Sequence, residues 1–218
     1  RIMFRIIHSA SNQVLLNDLP HLPYLDLSIV FFVFLERNEA GQMTALIHNE
    51  HMKRWNVSVN DLWNAASRNT PREYPAQIQS MAELLKEIAQ KNMGEHYDPE
   101  LIQDLLDSDD AAPLYVLSNS NGLYGASCMV YQNVLKDFAD HLQADLILLP
   151  SSVHEVLLTP NLEDSSYEDL SSMVTSINRQ EVSPEEQLSN QVYLFSRKDG
   201  SLKVVSNAPE LVGASALS

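Results

Sequence analysis

The sequence contains little cysteine, few glycines and no long hydrophobic run, and each shortage excludes a class of protein. Cys128 is the single cysteine among 218 residues, so neither an intramolecular disulfide nor a cysteine-based zinc site can form. The longest apolar run, Ile29–Leu35, is far shorter than the roughly 20 residues that a membrane-spanning helix needs. Its β-branched and aromatic composition predicts a buried strand instead. No glycine falls in a Walker or dinucleotide-binding pattern, so phosphate-cradle chemistry has no support.

Positive charge is also scarce. The chain has 14 Lys and Arg residues against 29 Asp and Glu residues, so its formal charge is 14 − 29 = −15. A nucleic-acid binder needs a basic face that displaces counterions, so we expect no nucleic-acid partner. The same charge disfavours binding to an anionic membrane surface, and we expect no membrane association. A protein partner for the acidic surface is compatible with this charge.

The apolar fraction of 44% is large enough for a buried core and excludes disorder of the chain as a whole. A single cysteine suits a reducing compartment, so we expect a cytoplasmic protein. The sequence opens at Arg1, without an initiator methionine or a signal-peptide pattern. We therefore expect that a further segment precedes it in a longer protein.

The first half of the sequence predicts a hairpin followed by helices. Two apolar stretches, Leu27–Leu35 and Met43–Ile47, flank a polar connection and indicate paired strands. A Ser58-x-x-Asp61 capping pattern begins a helix that we expect to end before Pro71. An apolar stripe over 78–89 predicts a second helix that stops at 94, and a short third helix is expected over 98–106.

The acidic segment 107–113 is the best candidate for a linker. Beyond it the sequence predicts strands at 114–117, 124–131, 146–149, 155–158, 192–196 and 202–205, and helices at 131–142 and 167–177. Paired strands with helices between the pairs favour an α+β fold, with a mainly antiparallel sheet of hairpins and helices packed on it. We expect two closely packed lobes, 1–110 and 111–218, with one compact domain as the alternative.

Several blocks of the sequence resemble a bacterial family that is known only as a domain of unknown function. The first block runs from Ile47 to Val57 and continues through Leu62 to 69–71, and the second is Leu114–Asn119 followed by Gly125-Ala126. The third and most specific is Leu148–Val156, and Val192–Phe195 resembles the last strand of the family. The resemblance covers nearly the whole chain. It implies no activity, cofactor or catalytic residue, and family members usually carry an additional upstream segment.

The segment around His48 and His51 is a weak candidate for a metal site. Zinc-protease helices place two histidines four residues apart on one helix face, whereas these two are three apart at the end of a strand. A third ligand would have to come from elsewhere, such as His96 or His154. The favoured interpretation is a polar junction between a strand and a helix, with Asn49 as the cap and no metal.

Ser152, His154 and Glu155 are weak candidates for catalytic residues because they are the three residue types of a hydrolase triad. Their adjacency argues against a triad, since in an extended segment Ser152 and His154 share a face while Glu155 points to the other. There is also no Gly-x-Ser-x-Gly elbow. A tight turn in which the serine hydroxyls bond to local backbone is the alternative.

The sequence alone therefore leaves the biochemical function open. Our first hypothesis is a cytoplasmic, non-enzymatic binding or regulatory module with an acidic surface and no cofactor. The second is a hydrolase-like enzyme with its site around Ser152 and His154. A distant carboxylate or a metal that converges on His154 would favour the enzyme.

Overall fold

The computed structural model describes residues 1–38, 41–93 and 112–211, and the strands within them form two antiparallel sheets. The smaller sheet contains β1 (Ile2–His8), β2 (His21–Tyr24), β3 (Leu27–Asn38) and β4 (Gly41–Leu46). The larger contains β5 (Ala76–Ser80), β6 (Tyr115–Asn119), β7 (Leu146–Leu149), β8 (Val156–Pro160), β9 (Tyr193–Ser196) and β10 (Ser201–Val204). The helices are α1 (Gln13–Leu16), α2 (Asn49–Trp55), α3 (Val59–Glu73), α4 (Met81–Met93), α5 (Val134–Leu142) and α6 (Tyr167–Glu181). Two 3₁₀ segments span Ala10–Asn12 and Gly125–Val130.

Strand pairing confirms the α+β class and the mainly antiparallel sheet. In the smaller sheet β3 lies between β1 and β2, and the C-terminal half of β3 pairs with β4. The larger sheet has the order β10-β9-β7-β8-β6-β5, and every neighbouring pair in it is antiparallel. The predicted hairpins β3–β4 and β9–β10 are both present.

One hydrophobic core joins the two sheets, because strand residues alternate between faces. In β7, Leu146 and Leu148 point into a cluster that also contains Phe4 and Phe31 of the smaller sheet. The intervening Ile147 and Leu149 belong to a second cluster, in which α6 contributes Val174. The larger sheet is therefore covered on one face by the smaller sheet and on the other by α6, which explains why β7 has no polar residue.

The free edge of β1 is capped by hydroxyl groups. The backbone N–H of Phe4 donates to Thr70 Oγ1 at 3.0 Å, and the N–H of Ile6 donates to Ser127 Oγ at 3.3 Å. These bonds explain two wrong predictions. Thr70 holds the last turn of α3 against β1, so the helix continues through Pro71 to Glu73. Residues 124–131, expected as a strand, instead form the 3₁₀ segment that presents Ser127.

The predicted helix at 78–89 begins later than expected. Ile78 lies in β5, where it pairs with Leu117 of β6, and α4 begins only at Met81. The signal for this start was a capping box, since the N–H of Glu83 donates to Ser80 Oγ and the N–H of Ser80 donates back to the Glu83 carboxylate. The predicted helix at 98–106, the predicted linker at 107–113 except its last two residues, and the boundary between the two lobes lie outside the described residues. In the described part of the chain, no helix has the length and apolar character needed to cross a membrane.

Candidate functional site

The turn that contains Ser152 and His154 joins β7 to β8 and is pinned to the segment before β9. Ser152 is buried, and its hydroxyl accepts a hydrogen bond from the backbone N–H of His154 at 3.0 Å. The N–H of Val153 donates to the Glu186 carbonyl at 2.9 Å, and Ser152 forms a β-bridge with Gln187. The Ser152 hydroxyl therefore stabilises the turn, as the structural interpretation of this motif expected.

Both ring nitrogens of His154 have partners. Nδ1 accepts a hydrogen bond from the backbone N–H of Tyr124 at 3.3 Å, so the ring proton lies on Nε2. Nε2 lies 3.3 Å from Glu186 Oε1, and the ring stacks on that of Tyr124 with 5.9 Å between centroids. A hydrogen bond from Ser183 and one from His154 lower the pKa of Glu186, which keeps this carboxylate ionised.

The structure therefore supplies a distant carboxylate to His154 but leaves the ring no nitrogen for a nucleophile. The partner of the ring is Glu186 and not the adjacent Glu155, whose pKa is raised chiefly by burial. In a hydrolase triad one ring nitrogen binds the carboxylate and the other takes the proton of the serine. Here the second nitrogen is occupied by backbone, and the hydroxyl of Ser152 bonds to backbone as well.

The histidine pair at the start of α2 is also held in hydrogen bonds. His48 Nδ1 lies 2.7 Å from Asp18 Oδ2, and the backbone N–H of His48 donates to Nδ1 of His51 at 2.9 Å. His48 is the residue that precedes α2, so the prediction of Asn49 as the cap is wrong; Asn49 is the first helical residue, and its side chain donates to the Asn17 carbonyl. Within the described ranges, no group of three or more His, Cys, Asp or Glu residues is arranged to hold a metal ion.

A polar cluster around the partly buried Asp26 links the two sheets. The Asp26 carboxylate accepts hydrogen bonds from the Tyr193 hydroxyl and, at 2.6 Å, from the Ser189 hydroxyl. Nε2 of the buried His8 lies 3.9 Å from Asp26 Oδ2 and 3.5 Å from Glu210 Oε2. Burial lowers the pKa of His8 despite the two carboxylates. The hydrogen bonds of this cluster join the β2–β3 turn to β9 and to the segment before it, and the two contacts of His8 add β1, so we assign the cluster to the fold.

A cleft of about 480 Å³ opens between the β9–β10 hairpin, the start of α5 and the end of β2. It is lined by Tyr24, Met129, Tyr131, Asn133, Leu135, Lys136, Phe195, Lys198, Asp199, Gly200 and Leu202. These residues come from three parts of the chain that are far apart in sequence: Tyr24, residues 129–136 and residues 195–202. The cleft is thus a product of the tertiary structure and not of any single motif.

Two lysines stand at this cleft, and they differ in their surroundings. Lys136 forms an ion pair with Asp140, whose other oxygen accepts from Arg197 Nε at 2.9 Å. Hydrogen bonds from these two cations lower the pKa of Asp140. Lys198 is exposed and makes no hydrogen bond or ion pair with any residue that the structure describes. The Asp199 carboxylate accepts from the Ser196 hydroxyl at 2.9 Å.

Sequence reasoning did not find this cleft, although one signal for it was present. Residues 112–218 contain only five Lys or Arg residues, and four of them are Lys136, Arg197, Lys198 and Lys203. Three of the four fall in one hairpin, which is unusual in a chain with a formal charge of −15. The position of Lys136 beside that hairpin depends on the packing of α5, which the sequence did not reveal.

Comparison with known proteins gives a family and no activity. No curated protein and no solved structure shows detectable similarity to this chain. The model of a family of unknown function, DUF5688, matches residues 1–197 of the 218. This match confirms the resemblance noted in the sequence, while the bacterial origin and the upstream segment stay predictions. The chain belongs to the DUF5688 family.

Proposed function

We propose that this chain is a non-enzymatic binding module and that the cleft beside the β9–β10 hairpin receives its ligand. The observation that carries the proposal is the cleft itself, with a volume of about 480 Å³ and a lining drawn from three parts of the chain. Small-molecule sites are concave, have volumes of roughly 300–1,000 Å³, and combine an apolar lining with a few polar groups. Phe195 and Leu202 supply apolar surface here, and Asn133 and Lys198 supply polar groups.

The walls of the cleft are held in place without a ligand. Arg197 fixes the hairpin to α5 through Asp140, and its backbone N–H donates to Asp145 Oδ1 at 2.8 Å. The hydroxyl of Tyr24 donates to the Met129 carbonyl at 3.5 Å, which ties the end of β2 to the 3₁₀ segment. A site that is preformed loses little conformational entropy when it binds, so such walls favour binding.

A hydrolase-like enzyme with its site around Ser152 and His154 is the second candidate. The contact between His154 Nε2 and Glu186 favours it, because Glu186 is a carboxylate from outside the turn. The backbone partners of the Ser152 hydroxyl and of Nδ1 count against it, because they occupy the groups that would transfer the proton. The geometry therefore supports the binding module better.

Three further parts of the proposal rest on the sequence. The acidic surface would meet a protein partner, nucleic acid would not bind because the net field repels it, and the single cysteine suits the cytoplasm. These expectations concern the outer surface and the location, and they are independent of the cleft.

A fragment titration followed by ¹⁵N–¹H NMR tests the binding site. The fragment set contains acids, bases and neutral compounds, each at millimolar concentration. We expect some of them to shift the amide signals of residues that line the cleft. Leu202→Glu should abolish these shifts, because it introduces a charge in the apolar part of the lining. The matched control is Val204→Glu on the same strand, since Val204 does not line the cleft.

Leu202 is partly buried, so a second variant protects the test from misfolding. Lys198→Trp at an exposed position should fill the cleft without removing a core side chain. The cleft is not a binding site if no fragment shifts a signal from it. The same conclusion follows if the shifts persist in both cleft variants while these remain folded.

An esterase assay tests the second candidate directly. We expect the wild-type protein to hydrolyse p-nitrophenyl esters no faster than buffer does. Turnover that disappears in Ser152→Ala and in His154→Ala, but not in the control His21→Ala, would replace the binding module with the enzyme. Circular dichroism of each variant would establish that the loss is not caused by unfolding.

A further inference from the structure

We infer that the cleft selects a small organic acid, with one carboxylate facing Lys198 and an apolar aromatic or aliphatic body lying against Tyr24, Phe195 and Leu202. This inference rests on the proposed function, because it names the ligand class of the same site. It is carried by the charges, the hydrogen-bonding groups and the apolar side chains that line the cleft.

The charge of the lining points to an anion with a single charge. Lys136 is already paired with Asp140, and Asp199 adds a carboxylate that bonds to the Ser196 hydroxyl. Lys198 is the remaining cation, and it has no partner among the described residues. One carboxylate would pair with this ammonium group, whereas a second negative charge would meet Asp199.

A second polar group of the lining also suits the oxygens of a carboxylate. The side-chain amide of Asn133 is exposed at the cleft and makes no hydrogen bond within the described part of the chain. An amide N–H₂ and an ammonium group are both donors, so each of them suits a carboxylate oxygen. Neither group has to break a bond of the free protein in order to bind.

The apolar side chains of the lining suit an apolar body. Phe195 and Tyr131 are buried, and Tyr24, Met129 and Leu202 add aromatic and aliphatic surface. Burial raises the pKa of Tyr24 to about 12, so its ring is neutral at physiological pH and does not repel an anion. Apolar contact with these side chains would supply binding energy that inorganic anions lack.

The test compares four probes of similar size by NMR titration against the wild-type protein. They are 4-phenylbutyrate, its neutral amide, the cation 4-phenylbutylammonium and the dianion phenyl phosphate. We expect the carboxylate to shift cleft signals and to bind about fivefold tighter than the amide, as for a partly exposed ion pair. Phenyl phosphate should bind more weakly than the carboxylate, because its second charge faces Asp199.

Two variants decide whether Lys198 makes the distinction. Lys198→Met should reduce the preference for carboxylate over amide to less than about twofold, while the amide affinity stays unchanged. Lys53→Met, an exposed lysine on α2, is the matched control and should keep the full preference. Lys198 is exposed and forms no hydrogen bond or ion pair with a described residue, so the variant should remain folded.

The outcomes distinguish an error in the ligand class from an error in the binding site itself. If the amide or the ammonium compound binds at the cleft as tightly as 4-phenylbutyrate, or if Lys198→Met keeps the preference, the organic-acid inference is wrong while the cleft remains a binding site. Tighter binding of phenyl phosphate would overturn the single-charge argument. If none of the four probes shifts a cleft signal, the inference is wrong, and a failed fragment titration would remove the proposed function as well.

Discussion

Gly125 lies where the 3₁₀ segment passes closest to β6 and to the turn of His154. A Cβ atom built at this position would overlap Ser118 Oγ and the carbonyl oxygen of His154, and it would lie 2.9 Å from the backbone nitrogen of Asn119. Two of these three neighbours are backbone atoms, which move only if the strand or the turn moves. The Ser118 hydroxyl itself donates to the His154 carbonyl at 2.8 Å, so the close approach is part of the bonding of the turn.

We predict that Gly125→Ala lowers the free energy of unfolding by roughly 3 kcal/mol, because the added methyl group forces the backbone apart. Gly122→Ala is the matched control. It lies three residues away with a φ of +71° and open space around it, so only the left-handed conformation costs energy, about 1 kcal/mol. Urea denaturation measures both values, and an equal cost for the two variants would contradict the close approach.

At the scale of single elements, β3 shows why its sequence lacks a polar face. Phe31 points into the core that the two sheets share, and Phe32 points the other way into a cluster with Met3 and Tyr74. Phe32 is buried, which confirms the expectation that this strand lies within the sheet. Both faces of β3 are covered over its first half, so alternation of apolar and polar residues is absent there.

We predict that Phe32→Ala lowers the free energy of unfolding by roughly 3–5 kcal/mol, because it leaves a cavity in the cluster with Met3 and Tyr74. Leu35→Ala, three residues along the same strand, should cost less than about 1 kcal/mol, because Leu35 is 55% exposed. Chemical denaturation gives both values. A small loss for Phe32→Ala would show that the strand is peripheral to the stability of the fold.

At the scale of the whole molecule, the cluster around His8 and Asp26 joins residues from both ends of the chain. His8 ends β1, Asp26 lies between β2 and β3, and Tyr193 and Glu210 come from the C-terminal part. Burial lowers the pKa of His8 below its ordinary value of 6.5. The unfolded chain therefore binds this proton more tightly than the folded protein does.

We predict that the protein loses stability as the pH falls below about 6.5, because protonation of His8 favours the unfolded chain. The contribution is fully present above that pH and is lost as the pH falls toward the folded-state pKa. The free energy of unfolding in urea should fall between about pH 7.5 and pH 5.5, and this fall should be smaller for His8→Gln than for the wild type. The exposed His21→Gln is the control and should behave as the wild type does. Equal losses in His8→Gln and the wild type would remove His8 as the cause.

Local patterns in the sequence determined several of the elements and the fold class. The capping pairs, the turn at Lys198–Gly200 and the two-residue alternation of β9 depend on neighbours within a few residues, so the β9–β10 hairpin, the start of α3 and the α+β class were predictable. The polar groups of the turn after β7 were also visible in the sequence.

Only the tertiary structure decided where long-range contacts override the secondary structure that the local sequence favours. Thr70 keeps α3 helical past Pro71 because it caps the edge of β1, which is 66 residues away along the chain. Glu186 became the partner of His154 through a contact that spans 32 residues. The cleft likewise needed α5 to bring Lys136 beside a hairpin about 60 residues further on. Such contacts gain their energy from packing and burial of the whole chain, which no local pattern encodes.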